Sequence, residues 1–237
     1  ASVLTTAYVA ATETLSAIGE GAAARGLALS SAAVSGIADC AGPDAMTDKP
    51  ITLLEAERAL IAHYDRLVKQ DGNWDQPFLA GVGPEYFQAS PRLLVVGKAT
   101  AGWSNVEEPV TAEATSAHSA AFVQEPTAGA FFRHVQQLAL GVASGVDPAA
   151  AARRIAWTNL ARIGYAGGNP AGQAFDAQET LCRWLLAAEL DWLRPDLVIL
   201  LTGDYRHDLV SDFFDGIVWE YLPNAGHDAA WCGCWHG

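Results

Sequence analysis

Four stretches of this 237-residue chain carry side chains able to do chemistry. The first is Gly97-Lys98-Ala99-Thr100-Ala101-Gly102-Trp103, directly after an apolar run at 93–96. Its glycines let backbone N–H groups approach a ligand closely. Lys98 can hold a phosphate or be solvated, and Trp103 can stack on a base or cap the edge of a sheet. The spacing is neither a Walker P-loop nor GxGxxG, so it does not specify nucleotide phosphate. The second stretch holds Asn159 and Arg162. An amide presents one donor and one acceptor to a pyrimidine's pairing edge, and serves equally as a turn or cap. Arg162 can contact an anion or pair with a carboxylate. The third, Asp204, Arg206, His207 and Asp208, suits acid/base work or the ordinary acidic start of a helix. The fourth gathers His227, Cys232, Cys234 and His236, all soft-metal ligands, at a spacing that matches no common zinc module. No GxSxG elbow is present, and Ser104 has no nucleophile signature.

The elements around these stretches follow from periodicity. Thr52 and Glu55 make a T-x-x-E capping box. Leu53, Ala56, Leu60, Tyr64, Leu67 and Val68 then recur at helical spacing up to Asp71-Gly72. Pro77, Gly81, Gly83 and Pro84 predict a loop. The runs at 93–96, 155–158 and 197–201 predict short strands buried on both faces, with a last strand at 217–221. A long polar segment spans 104–127, and helical spacing returns at Phe131, Phe132, Val135 and Leu138. Residues 175–193 predict one long amphipathic helix ending at Arg194-Pro195, and 209–214 a short one. Strands alternating with helices imply an α/β fold with a mostly parallel sheet and helices on both faces. Right-handed crossovers then bring the loops at 97–104, 159–169 and 202–207 to one edge, where such folds bind ligands.

Composition narrows the partners. The chain is 51% apolar, which favours a globular core, and its formal charge of −13 repels nucleic acid over most of the surface. Cys40, Cys182, Cys232 and Cys234 form no disulfide framework and no iron–sulfur set, so no cofactor is expected. No run approaches the roughly 18 apolar residues of a membrane span. Without a basic leader at the amino terminus, the expected place is the cytoplasm. Residues 1–45 are a low-complexity, Ala-rich extension, and Met46 is the chain's only methionine. The expectation is that Met46 is the natural start and 1–45 is upstream sequence. The alternative is a genuine helical extension. A core domain at 46–222 and an irregular tail at 223–237 complete the division.

The segments LLVVGKATAGW, IAWTNLARIG and ELDWLRPDLVILLTGDYRHD, in this order and on expected strand ends, resemble the uracil-DNA glycosylase superfamily, in particular its uncharacterised bacterial branch. The likeness covers roughly residues 93–221. It implies a three-layer α/β/α sandwich with a central four-stranded parallel sheet, and hydrolysis of the N-glycosidic bond of a damaged base flipped from DNA. It also implies that Gly97 to Gly102 position the water and contact the sugar, with Lys98 and Trp103 lining the pocket. Asn159 would read the base, Thr100 or a backbone carbonyl would orient the water, and His207 or His227 would stabilise the leaving base. The 202–207 loop with its Asp204 would lie opposite, and Arg162 would also contact substrate. The chain departs from the best-known branch at Ala99, where that branch has an Asp, and from the iron–sulfur branch at Lys98, where that one has a Glu, while other branches lack a carboxylate there. It also reads LPNAGHD where a His-Pro pair is usual. Two rivals follow: a non-catalytic relative binding a nucleotide or protein partner, and a hydrolase using Lys98 and Arg162 as anion anchors.

Overall fold

The computed structural model describes residues 52–100, 102–103, 109–124, 135, 148–202, 205–214, 218–222 and 230–234. Helix α1 (Leu53–Gln70) opens on the expected capping box. The Glu55 N–H donates to Thr52 Oγ1 at 3.2 Å, and the Thr52 N–H donates to Glu55 Oε2 at 2.8 Å. Its inward stripe is Ala56, Leu60, Ile61, Tyr64 and Leu67, while Val68, expected on that stripe, is exposed.

The segment read as a loop after α1 contains two short strands, β1 (Trp74–Pro77) and β2 (Gly81–Val82). β3 (Leu93–Gly97), β4 (Ile155–Asn159) and β6 (Leu197–Leu200) fall where the apolar runs predict. β5 (Ile163–Tyr165) pairs antiparallel with β1 as a separate two-stranded sheet. The main sheet has the order β2-β4-β3-β6. β4, β3 and β6 are parallel, and β2 runs antiparallel along the edge of β4. The expected sheet of four parallel strands is therefore corrected to a mixed one. The strand expected last in that sheet, β7 (Val218–Leu222), instead pairs antiparallel with β8 (Ala230–Cys234). That second strand lies inside the stretch expected to be irregular.

Side-chain alternation sends the sheet's residues into two cores. Leu94, Val96 and Ala156 pack with Phe175, Leu186, Leu193 and Leu209. Leu93, Val95, Ile155 and Trp157 pack with Trp103, Val123, Val135 and Ala151 on the other face. The first face is covered by α5 (Glu179–Leu193) and α6 (His207–Phe213), the second by α2 (Ala112–Gln124) and α3 (Pro148–Ala152). Of the four residues at which helical spacing was expected to return, Phe131, Phe132 and Leu138 lie outside the described residues. The chain moves from β3 to β4 and then back past β3 to β6, so its crossovers lie on opposite faces, as right-handed connections require.

Helix α2 sits within the segment read as polar. It buries small side chains, Ala112, Thr115 and Ser119, which carry little amphipathic contrast. The single helix expected at 175–193 is broken into α4 (Gln173–Asp176) and α5. At the break, Gln178 turns inward. Its Oε1 accepts from the backbone N–H groups of Arg162 (3.0 Å) and Ile163 (2.9 Å), and its Nε2 donates to the Ile163 carbonyl (2.7 Å).

Arg162 is fully buried. Its guanidinium donates to both carboxylate oxygens of Glu189 on α5, at 2.7 and 2.8 Å, and to Thr158 Oγ1. Thr158 in turn donates to Glu189 at 2.8 Å. A buried pair of this kind is strongly destabilised when one partner is lost, because the other charge stays in the interior. Glu189→Gln should therefore cost about 3–5 kcal/mol by urea denaturation; a loss below about 1 kcal/mol would contradict this reading of the pair.

Glu57 on α1 lies within the field of the same pair. Burial, then the negative charge of Glu189, push its carboxyl from an ordinary 4.5 up to about 7, while Arg162 pulls it down. Between these values the folded chain keeps a proton that the unfolded chain has released, so stability falls as pH rises through that window. Glu57→Gln should be more stable than wild type at pH 8 and equal to it at pH 4. Equal denaturation midpoints at pH 8 would refute the shift.

Candidate functional site

The carboxyl ends of β3 and β4 are stitched together beyond the sheet. The Gly97 carbonyl accepts from Leu160 N–H at 2.9 Å, and the Lys98 carbonyl from Ala161 N–H at 2.8 Å. Pairing thus continues for two residues past the strands, and the glycine loop is held against the loop that carries Asn159 and Arg162. β1 closes the other side. Gln76 N–H donates to the Trp103 carbonyl at 2.8 Å, and Phe78 N–H to the Arg162 carbonyl at 2.7 Å. Gly102 has φ +68°, a conformation open to glycine, and its N–H donates to Asp75 Oδ2 at 3.0 Å.

This seam brings Gly97, Lys98, Thr100, Gly102, Trp103, Asn159 and Arg162 together. Two of their roles are corrected. Trp103 is buried, with its ring centroid 4.6 Å from His118, 5.0 Å from Phe122 and 5.4 Å from Phe78. It packs under the edge of the sheet and is not a free platform for a base. Arg162 takes the second of its two readings: Glu189 consumes its charge, so it cannot anchor an anionic ligand. Lys98 is half-buried and joins no ion pair among the described residues.

Four polar atoms at this edge are buried without a hydrogen-bond partner among the described residues: Asn159 Nδ2, Thr100 Oγ1, Trp103 Nε1 and Arg162 Nε. Asn159 itself is 1% exposed and Thr100 5%. His118 Nε2, beside Trp103, is in the same condition. Buried polar atoms are nearly always satisfied, and an orphan costs about 1–3 kcal/mol, so a group of them at a strand end marks a place where a ligand or water belongs.

The third loop begins on the far side of β3, where Leu201 N–H donates to the Val96 carbonyl at 2.8 Å. Asp204 and His227 lie outside the described residues, as does the side chain of His207, whose backbone starts α6. Cys232 and Cys234 belong to β8, with their side chains undescribed, and His236 is undescribed. Arg206 lies 4.0 Å over the Phe175 ring and is paired with Glu179 and Asp208. Among the described residues, no three His, Cys, Asp or Glu side chains gather as a metal would need, and no helix is long and apolar enough to cross a membrane.

Asp75, His118 and Gly164 stand at this edge without a signal in the sequence pattern: Asp75 and Gly164 lie on short strands that exist through distant pairing, and His118 on a helix with little amphipathic contrast. Gly164 was legible only as a glycine in RIGYAGG. A Cβ there would collide with Asp75 Oδ2 and the Thr100 carbonyl oxygen. Comparison with protein-family models, curated proteins and solved structures gives no match for this chain.

Gly164→Ala should therefore push the glycine loop off β1, at a cost of about 1–3 kcal/mol. The amide resonance of Gly102 should shift as its bond to Asp75 is lost. An unchanged Gly102 resonance would show that the crowding is relieved elsewhere.

Proposed function

We propose that the joined ends of β3 and β4 form a nucleobase pocket, and that the chain is a uracil-DNA glycosylase-like hydrolase cleaving the N-glycosidic bond of a damaged base in DNA. The observation that carries this is Asn159: buried at the end of β4, its amide Nδ2 has no partner among the described residues. A base carbonyl offers the missing acceptor, and the amide oxygen can answer a ring N–H. Helices on both faces of the sheet fit the α/β/α sandwich of that superfamily, with three parallel strands where the family has four.

In this reading the target base leaves the DNA stack to reach the sheet edge. Backbone groups of Gly97 to Gly102 meet the sugar, and the Thr100 hydroxyl orients a water. Asn159 holds the base as negative charge develops on it, and His207 or His227 supports its departure.

A second reading, a non-catalytic relative that binds a nucleotide, is favoured by one observation. Arg162, Arg183 and Arg206 are all committed to carboxylates, leaving Lys98, among the described residues of these loops, to meet phosphate. Oligonucleotides containing uracil or hypoxanthine separate the two. The hydrolytic reading expects free base, and Asn159→Ala to slow its release by about 100- to 1,000-fold. Binding without release from either substrate would favour the second reading, and release untouched by Asn159→Ala would remove Asn159 as the base reader.

A further inference from the structure

The loop after β3 carries no carboxylate of its own: its residues are Lys98, Ala99, Thr100, Ala101 and Gly102. Hydrolysis of a glycosidic bond is assisted by a group that accepts a proton from the attacking water. The fold brings such a group from elsewhere. Asp75 lies on β1, ahead of the main sheet in sequence, and its Oδ2 accepts from the Gly102 N–H at 3.0 Å. The same oxygen and the Thr100 carbonyl both crowd the position that Gly164 leaves open.

The described carboxylates around these loops differ in their engagements. Asp71 accepts from the Tyr165 hydroxyl at 2.7 Å. Glu179 is paired with Arg183 and Arg206, and Glu189 with Arg162. Asp75 is bound to no cation or phenol among the described residues, and its Oδ1 accepts no hydrogen bond from them. The side chain is half-buried, so water reaches it. Its backbone is nevertheless held in place, because Gln76 is bonded to Trp103 and the Trp74 ring packs edge-on against Tyr165 at 4.9 Å. Thr100, with its unpartnered hydroxyl, lies on the same loop two residues from the Gly102 hook.

We propose that Asp75 is the catalytic base of this site, holding the attacking water on Oδ1 while Gly102 fixes Oδ2. This rests on the N-glycosidic reading above. The water oxygen bonds to the sugar C1′ as the C1′–N bond breaks, and that electron pair leaves with the base. One water proton passes to Asp75 and is then released to solvent or to the departed base. One water is consumed, giving a free base and an abasic sugar.

The test is single-turnover release of base from uracil- and hypoxanthine-containing oligonucleotides by wild type, Asp75→Asn and Asn159→Ala, over a range of pH. In Asp75→Asn the side-chain amide oxygen keeps the acceptor for Gly102, so the loop stays hooked, but the amide cannot take a proton. Asp75→Asn should slow release by about 100- to 10,000-fold with oligonucleotide affinity and melting temperature unchanged. The wild-type rate should show an acid limb that the variant's residual rate lacks. Release at the wild-type rate by Asp75→Asn, or a pH profile with the same acid limb, overturns the role of Asp75 and leaves the glycosylase reading standing. A wild type that binds these oligonucleotides but releases no base removes both.

Discussion

The site depends on one buried charge. Arg162 ends the loop after β4, and its guanidinium has no exposure to water. Such a group is tolerated inside a protein only with a partner of opposite charge and well-aligned hydrogen bonds. Glu189 and Thr158 supply these, so the loop is tied to α5 on one face of the sheet and to β4 itself. Gln178 adds three bonds to the next peptide units. With residues 160–163 fixed from below, their backbone can pair with Gly97 and Lys98 on one side and Phe78 on the other. The glycine loop is thereby shaped before any ligand arrives.

The polar groups at this edge divide into two kinds. Arg162, Gln178, Thr158 and Glu189 are buried and bonded to one another or to backbone, with Arg162 Nε left over, and they build the scaffold. Asn159 and Thr100 are buried on the same scaffold yet leave polar atoms unmatched among the described residues. A fold that ties its buried charges together beneath two strand ends, and leaves an amide and a hydroxyl open above them, has the arrangement expected of a preorganised site. The supporting shell explains why Arg162 works through position and not through contact with a ligand.

Much of the scaffold was legible in the sequence. The Thr52–Glu55 capping box set the start of α1, and three unbroken apolar runs marked the parallel strands. Asn159 and the glycine loop stood out in the sequence because the carboxyl ends of such strands face the edge where α/β folds bind ligands. What was hidden has physical reasons. β2 is two residues long and β1 ends on a proline, so neither shows alternation; both exist through pairing with β4 and β5. Asp75 inherits that obscurity. Helix α2 uses Thr115 and Ser119 as core residues, which a hydrophobicity pattern reads as polar. The partner of Arg162 left a trace: Glu189 interrupts the apolar stripe of Cys182, Leu186 and Leu193, and a carboxylate on such a stripe signals a buried cation.

The account turns on whether the orphaned Asn159 amide receives a nucleobase. Side-chain amide NMR during titration of the full chain with uracil, hypoxanthine and thymine observes that group directly. The account predicts a saturable shift of the Asn159 side-chain resonances with at least one base, accompanied by the backbone amides of Gly97 and Gly102. Saturable binding that moves other resonances while those of Asn159 stay fixed would contradict it.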